Sequence, residues 1–302
     1  MADKKEKSIL PKVNFMGLDV TYEEARAVIL PAPFASTSIS EQTLLGPSEI
    51  LENWNMEDYD LQLNYSPCAA RIYPLPERIY SGDAGLNSIY MNTKKIIQDG
   101  KFPVVLGGDQ AISLATVKAA SEEMKKKGEE FSVLIIDAHT DMKDEFEGNK
   151  NSNLSVTKRL VENKIKVSLL GTRSIGSEEI DEAEKLDAYC RISNQKELND
   201  FLKGIEDNIY ISIDVDAFDP SLMPATLMPE PWGLSWDEVV SPLIKLGEKR
   251  NIVGIDITEH APINGFKMPS IICAQLAYKL IGIKFKRQAE EEGWEECYEG
   301  MK

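Results

Sequence analysis

The sequence predicts an α/β protein with three layers, in which a mainly parallel sheet lies between two layers of helices. Apolar runs of four to six residues recur along the chain, and each is followed by polar, glycine-rich or acidic residues. Runs with no polar face are typical of strands buried on both sides. Helical patterns lie between the runs, and this alternation favours parallel strands joined by helical crossovers.

Six apolar runs are predicted strands, and four of the segments between or after them are predicted helices. The strands are at residues 27–30, 103–106, 133–136, 167–170, 209–213 and 252–257. The helices are at residues 112–127, 177–186, 236–246 and 270–283. Asp109 or Gln110 is expected to open the first helix. Ligands of such sheets bind beyond the carboxyl ends of the strands, so the polar residues after each run predict where a site lies.

The length suits one large α/β domain or two small ones, and the chain is interpreted as a single domain over residues 1–302, with peripheral tails at 1–20 and 285–302. Of the 302 residues, 42% are hydrophobic, which is enough for a full core. The net charge of −16 argues against nucleic acid or an anionic membrane as a partner. It fits a cationic substrate only weakly, and a solvated acidic surface is the preferred explanation.

The chain is expected to be cytoplasmic and to keep its cysteines reduced. No apolar run approaches the ~20 residues of a membrane span, and the N-terminus lacks the apolar segment of a signal peptide. The four cysteines are scattered and form no C-x-x-C pair, which predicts free thiols in a reducing compartment. These cysteines are Cys68, Cys190, Cys273 and Cys297.

One acidic segment follows the predicted strand at 133–136. Asp137, His139 and Asp141 are two residues apart, so their side chains would point to one side if the strand ran on. Carboxylates with one imidazole suit Mn²⁺, Zn²⁺ or Fe²⁺. The alternative is a strand end with surface acids and a capping histidine.

A second acidic segment follows the predicted strand at 209–213. Asp214 and Asp216 share a face, and aspartates at the end of a buried strand need partners. Asp219 precedes a proline and is expected to be a turn residue. Together with Asp137 and Asp141, these residues place four negative charges near one another, and two divalent cations would balance them. Such ions would serve to activate water.

Four segments resemble the signature segments of the ureohydrolase family, which covers arginases, agmatinases and related guanidino-hydrolases. The family reads G-G-D-H, D-A-H-x-D and S-x-D-x-D-x-x-D-P, followed by a glutamate in a segment ending in proline. The corresponding segments are residues 107–110, 137–141, 212–220 and 259–262. Weaker similarities extend from residue 27 to residue 283 in the family's order. The chain resembles agmatinases most, because it lacks the amino-acid-binding segment of arginases.

The resemblance implies an arginase-like fold with two Mn²⁺ ions per chain, or one here. The implied ligands are Asp137 and Asp214 for both ions, Asp141 with the position of Gln110 for one, and His139 and Asp216 for the other. Asp141, Glu259 and Asn153 are the expected catalytic positions, with Glu259 binding the guanidinium of a small cationic substrate. The implied reaction yields urea and an amine. Agmatine would give putrescine, a step of polyamine biosynthesis.

Two departures from the family pattern bear on activity. Gln110 stands where the family has a ligand histidine and offers a weaker neutral oxygen. Asn153 stands where relatives have a histidine thought to aid proton transfer, and asparagine does not titrate. His260 is a possible substitute, although a structural role is expected. Leu227-Met228 and Trp232 replace the Gly-Thr and a Gly of the family, which changes the substrate pocket.

Three functions remain open at this stage. The first is an active Mn²⁺-dependent hydrolase of a guanidino compound. The second, motivated by Gln110 and Asn153, is a weakened or inactive relative with a structural or regulatory role. The third is a metallohydrolase of another C–N bond or an acyl amide. The resemblance also implies a homo-oligomer, either a trimer or a hexamer.

Overall fold

The central sheet has eight parallel strands in the computed structural model, which describes residues 13–294. The strands in chain order are β1 (Val13–Phe15), β2 (Leu18–Val20), β3 (Ala27–Ala32), β4 (Ile72–Pro74), β5 (Phe102–Gly107), β6 (Phe131–Ile136), β7 (Lys166–Leu170), β8 (Asp187–Tyr189), β9 (Asn208–Asp214) and β10 (Asn251–Thr258). Strands β1 and β2 form a separate antiparallel pair. The order across the main sheet is β4-β3-β5-β10-β9-β6-β7-β8. All six predicted strands are present.

The helices lie between the strands in the chain. They are α1 (Gly46–Glu52), α2 (Gly82–Gln98), α3 (Ile112–Lys127), α4 (Val156–Glu162), α5 (Ile180–Ala183), α6 (Gln195–Gly204), α7 (Trp236–Gly247) and α8 (Met268–Glu292). The sequence marks the start of α7 with a capping box, in which Ser235 and Glu238 each accept the other's backbone N–H. None of the helices within residues 13–294 is both long and apolar enough to span a membrane.

The core fills the space on both faces of the sheet. Successive strand residues point to opposite faces. Val28 therefore packs with Ile89 of α2 on one face, whereas Ile29 belongs to the larger core on the other face, with Leu243 of α7 and Leu280 of α8. The predicted three-layer α/β/α class with a parallel sheet is confirmed.

The predicted helices differ from the structure mainly at their ends. Helix α3 has the predicted bounds, but its N-cap is Ala111 rather than Asp109 or Gln110. Asp109 instead accepts the Ala111 N–H at 2.9 Å, which places its carboxylate just before the helix. The predicted helix at 177–186 is reduced to the four residues of α5, because turns flank it on both sides.

Both segments predicted as peripheral tails contain regular secondary structure where the structure describes them. Residues 13–20 form the β1–β2 pair, whose Val20 is buried and whose Phe15 ring packs 5.4 Å from that of Trp54. Helix α8 continues to Glu292 and buries Phe285 and Ala289. Many glutamates surround the apolar positions of this last helical segment, so the sequence did not predict a buried helix face there. Residues 1–12 and 295–302 lie outside the described part.

The prediction of four free thiols is also wrong. Cys68 is disulfide-bonded, whereas Cys190 and Cys273 are free. Cys297 lies outside the described residues. Sequence spacing did not predict a disulfide, because a disulfide needs two cysteines that the fold brings close together, and spacing alone does not report that distance.

Candidate metal centre

Four neighbouring strands in the middle of the sheet deliver the predicted site residues. Strands β5, β10, β9 and β6 are adjacent, and their carboxyl ends lead into Gln110, Glu259, Asp214 and Asp137 respectively. All four residues are buried. The pairing of Thr258 with Asp214 aligns the ends of β10 and β9. The site therefore lies where a parallel α/β sheet places its ligands.

The Gly107-Gly108 pair lets the backbone pass close to a neighbouring segment at this edge. A Cβ on Gly108 would lie 2.1 Å from the carbonyl oxygen of Phe34 and 2.6 Å from its nitrogen. Only glycine fits this close backbone approach. The same approach lets Asp109 N–H donate to Phe34 at 2.9 Å, while the Gly108 carbonyl accepts the Glu259 N–H at 2.8 Å. The glycine thus sets the position of both Gln110 and Glu259.

Asp137, His139 and Asp216 form a compact cluster of potential metal ligands. One ligand atom from each lies within 4.8 Å of the others. His139 Nδ1 is 2.9 Å from Asp216 Oδ2 and 3.6 Å from Asp137 Oδ1. Burial lowers the pKa of the His139 imidazole, but hydrogen bonds to Asp137 and Asp216 outweigh it and raise the pKa to about 11. The two carboxylates therefore favour positive charge at this position, carried either by the ring or by a bound cation.

Asp141 and Asp214 complete the acidic pocket. Both line it together with His139, Asp216 and Glu259. Burial, and then repulsion from Asp137, raises the pKa of Asp141 well above its usual value. Burial, followed by repulsion from Asp216 and Asp137, does the same to Asp214. Burial disfavours the charged form of a carboxylate, and a nearby cation would oppose this shift.

The predicted convergence of the 137–141 segment occurs, but for a different reason. The strand ends at Ile136 instead of running on. Beyond it, the His139 N–H turns back to donate to Asp137 Oδ1 at 2.6 Å, and Asp141 adopts a left-handed backbone with φ of 49°. Asp214 and Asp216 likewise meet through a turn, in which Asp214 Oδ1 accepts the Asp216 N–H at 2.8 Å. Tight turns bring these side chains together. From the sequence, the alternating side chains of a continuing strand were expected to do so.

Gln110 lies beside the acidic cluster at the position predicted from the sequence. Its side-chain Nε2 donates to Asp137 Oδ2 at 2.5 Å, and its backbone N–H donates to Glu259 Oε1 at 2.9 Å. Its side-chain oxygen Oε1 is buried and has no hydrogen-bond partner among residues 13–294. A buried carbonyl oxygen without a partner is unusual and suits a ligand oxygen for a hard cation.

Asn153 and Glu259 form the other side of the pocket. Asn153 Nδ2 donates to Glu259 Oε1 at 3.3 Å. Burial, and then repulsion from Asp109, raises the pKa of Glu259 well above its usual value. Glu259 also has a left-handed backbone, with φ of 62°. Such strain in a residue other than glycine is concentrated at functional sites. The hydrogen bond from Asn153 Nδ2 orients the Glu259 carboxylate.

The residues present fit a divalent cation. Carboxylates from Asp137, Asp141, Asp214 and Asp216 meet one imidazole nitrogen and the unpartnered oxygen of Gln110. This set of oxygen donors with one nitrogen is the kind that Mn²⁺ accepts. Burial and repulsion between the carboxylates raise the pKa values of Asp141, Asp214 and Asp216, and a bound cation would oppose this shift.

Sequence reasoning missed several residues of the pocket. Ile39, Leu154 and Thr226 also line it. The Leu227-Met228 pair, which was predicted to change the pocket, lines it as well. No sequence signal marked Ile39, because it lies in the 3-10 helix Ser38–Leu45, remote in sequence from every acidic segment.

His260 and Asp219 have the structural roles predicted for them. His260 is buried, with Nδ1 3.2 Å from the Ala225 carbonyl oxygen and Nε2 2.9 Å from Ser270 Oγ. Burial lowers its pKa to about 4 even though the Ala225 carbonyl acts in the opposite direction. Asp219 caps a turn by accepting the Ser221 N–H at 3.0 Å.

Family membership follows from a match that covers most of the chain. The sequence pattern of the Arginase family matches residues 25–282. This protein belongs to the arginase family. The chain is 33% identical to N(1)-aminopropylagmatine ureohydrolase of Synechocystis, over 87% of this chain and 90% of that protein. It is 28% identical to an agmatinase of Pyrococcus horikoshii, over 87% of this chain and 94% of that protein.

Solved structures of the arginase family have the same fold. The agmatine ureohydrolase of Thermoplasma volcanium superposes with a TM-score of 0.79 at 25% identity, covering 90% of this chain and 94% of that one. A putative agmatinase from Clostridium difficile gives 0.77 at 28% identity, covering 89% and 100%. The predicted family, with agmatinases as the most similar group, is confirmed.

Proposed function

We propose that this member of the arginase family hydrolyses a guanidino compound to urea and an amine at a Mn²⁺ centre. The observation that carries the proposal is the burial of the Asp137, Asp141, Asp214 and Asp216 carboxylates around His139 in a single pocket. Like charges buried together need a cation, and divalent ions supply it compactly. Bound there, the metal supplies an activated water.

Glu259 is the proposed receptor for the guanidinium group. Its carboxylate lines the pocket and is oriented by Asn153 Nδ2 and by the Gln110 backbone N–H. A planar guanidinium pairs with a carboxylate through two parallel hydrogen bonds. Glu259 would thus hold the substrate carbon toward the acidic cluster while its charge is neutralised by the substrate.

The proposed metal positions are not equivalent in this chain. Asp137, His139 and Asp216 offer a compact set for the first ion, with Asp214 beside them. The second position would use Asp141 with Gln110, whose amide Nε2 already donates to Asp137. We expect the first ion to bind more tightly, because a neutral amide is a weaker donor than imidazole.

Agmatine is the proposed substrate, with putrescine as the amine product. Two observations support a linear cationic guanidino compound. The pocket is acidic, and relatives at 33% identity are named N(1)-aminopropylagmatine ureohydrolases. Agmatine extended by an aminopropyl group is therefore the second substrate to test. Leu227 and Met228 line the pocket and would contact the aliphatic part of either compound.

Urea release measures the proposal directly. Protein loaded with Mn²⁺ should release urea from agmatine or N(1)-aminopropylagmatine, and Glu259→Gln should lose most of this activity. The matched control is Glu248→Gln on the exposed end of α7. A metal-loaded protein that releases urea from neither compound would contradict the proposed reaction.

A weakened or inactive relative is the second candidate. The bond from Gln110 Nε2 to Asp137 Oδ2 favours it, because that amide uses a carboxylate oxygen that a second ion would otherwise bind. Asn153 adds to it by offering no titratable group. Bound metal without urea release from any guanidino compound would support this function.

A further inference from the structure

Three segments converge on the outer side of the His139 ring. The backbone N–H groups of Arg173 and Ser174 both donate to the Ala138 carbonyl, at 2.8 and 2.9 Å, and Ser174 pairs with His139 in a parallel bridge. This pairing places the Ser174 hydroxyl beside the imidazole. Ser174 Oγ donates to Glu230 Oε1 at 3.1 Å, and the same carboxylate oxygen lies 3.6 Å from His139 Nε2.

Arg173 fixes the Glu230 segment to the Asp216 turn. Its guanidinium donates to carbonyl oxygens on both, at 2.8 Å to Glu230 and 2.8 Å to Asp216. It also donates to Pro231 and Gly171 at 3.0 Å each and to Ala217 at 3.2 Å. A guanidinium has five N–H donors in a rigid fork, so this network holds the two segments in one geometry.

The two nitrogens of His139 therefore face different partners. Nδ1 faces Asp216 at 2.9 Å and Asp137 at 3.6 Å, inside the acidic cluster, whereas Nε2 faces Glu230. A histidine that binds a metal through one nitrogen commonly donates the other N–H to a carboxylate, which fixes the ring and its tautomer. The Glu230 side chain is 35% exposed and anchored by one hydroxyl, so a small rotation brings it into hydrogen-bond range.

We propose that Glu230 is a positioning residue of the metal centre, which accepts the His139 Nε2–H and thereby directs Nδ1 at the ion. The inference rests on the proposed function, since it requires a cation at Asp137, His139 and Asp216. It assigns Arg173 and Ser174 the task of holding Glu230 in place. Glu230 acts through His139 and does not touch the substrate.

Manganese affinity, measured without substrate, tests this role. Binding is measured by competition with a chelating dye in the wild type, Glu230→Ala, Glu230→Gln and the control Glu178→Ala, an exposed position. Loss of an outer partner of a ligand histidine weakens metal binding by about 10–100-fold. We expect that loss in Glu230→Ala, a smaller loss in Glu230→Gln, whose amide oxygen still accepts, and none in Glu178→Ala.

A second readout reports the ring directly. The chain has two histidines, so ¹⁵N-histidine labelling gives a spectrum with only His139 and His260. In the Zn²⁺-loaded protein, the His139 nitrogen signals should shift in Glu230→Ala. The His260 signals should not, because its nitrogens face Ala225 and Ser270.

The outcomes separate the two proposals. Wild-type metal affinity and unchanged His139 signals in Glu230→Ala would overturn the role of Glu230 while leaving the metal centre intact. A raised KM for agmatine with unchanged metal affinity would also overturn it, and would indicate that Glu230 binds the substrate amine. A wild-type chain that binds no Mn²⁺ would overturn both.

Discussion

At the residue scale, Gln110 and Asn153 stand where the family has histidines, and the charges of the pocket determine what each of them does. Gln110 donates an amide proton to Asp137 where a metal ligand is expected, and Asn153 donates one to Glu259. Both amides partly replace positive charge in the acidic pocket. Neither does the work of the family's histidine, because an amide neither titrates near neutral pH nor binds metal as an imidazole does.

Gln110→His should raise the number of bound Mn²⁺ ions per chain. The substitution removes the hydrogen bond from the Gln110 amide Nε2 to Asp137. The new imidazole offers a stronger ligand beside Asp141. Metal content after gel filtration measures the change. Gln275→His on the exposed face of α8 controls for adventitious binding to a new histidine. An unchanged metal count in Gln110→His would show that Gln110 is not at a metal position.

Asn153→Ala should weaken substrate binding rather than metal binding. Its amide orients Glu259, and a hydrogen bond to a charged group contributes about 1.5–3 kcal/mol, so KM should rise about tenfold or more. Steady-state urea release gives KM, and dye competition gives Mn²⁺ affinity. Equal KM values in variant and wild type would contradict this role for Asn153.

Site residues that belong to a short motif could be predicted from the sequence, whereas isolated ones could not. The D-x-H-x-D and D-x-D segments marked Asp137, His139 and Asp216 because several chemical groups recur within a few residues. Glu230 carried no such signal, and its place beside His139 depends on the pairing of three distant segments. The disulfide at Cys68 was missed for the same reason.

At the element scale, the site depends on how close strand ends and helix starts approach one another. Gly108 sits between β5 and α3 and touches the Phe34 backbone. The edge strands β4 and β8 escaped prediction because each has only three residues, too few to show a period. The central strands were predicted because they are buried on both faces and read as continuous apolar runs.

Gly108→Ala should reduce both stability and Mn²⁺ affinity. A Cβ there meets backbone atoms, which cannot move aside as a side-chain end can, so we expect a loss of about 1–3 kcal/mol in the free energy of unfolding. Gly128→Ala is the control, since its Cβ meets open space and only the left-handed φ of 72° opposes it. Urea denaturation and dye competition measure the two effects. Unchanged metal affinity in Gly108→Ala would contradict the positional argument.

His260 should make stability fall as the pH is lowered. It joins the end of β10 to the start of α8 through Ser270, and its pKa in the folded protein is about 4 against 6.5 for an exposed imidazole. Above pH 6.5 both states are neutral. Between pH 6.5 and 4 the unfolded chain takes up a proton that the folded one does not, which removes up to about 3 kcal/mol.

The comparison with His260→Asn isolates this effect. Asparagine does not titrate, so the decline in unfolding free energy between pH 6.5 and 4 should be smaller in the variant by about the same amount. Denaturant titrations at several pH values provide the curves. Parallel curves for the two proteins would show that His260 is not held neutral by the fold.

At the scale of the whole molecule, the acidic pocket works against folding until a cation binds. Asp214 is a buried carboxylate whose pKa is raised by burial and by Asp216 and Asp137. Asp214→Asn keeps an oxygen that can accept the Asp216 N–H but removes a charge. At pH 8, the metal-free variant should therefore be more stable than the metal-free wild type, because it no longer buries an unpaired carboxylate.

The response to metal should be large in the wild type and small in Asp214→Asn. Mn²⁺ should raise the Tm of the wild type, because ligands of the folded state stabilise it by mass action, and should have little effect on Asp214→Asn. Asp219→Asn, in a turn outside the pocket, is the matched control. A metal-free Asp214→Asn protein less stable than the wild type would contradict the electrostatic argument.

The trimeric or hexameric assembly implied by the family, and the cytoplasmic location, stay predictions.

Manganese content per chain is the measurement that tests the central claim most directly. The wild type and Asp214→Ala are incubated with Mn²⁺, passed through a desalting column and analysed for metal. If the buried carboxylates hold a cation, the wild type retains at least one Mn²⁺ per chain and Asp214→Ala retains none. A wild type without metal, or an Asp214→Ala protein with the wild-type content, would contradict the account.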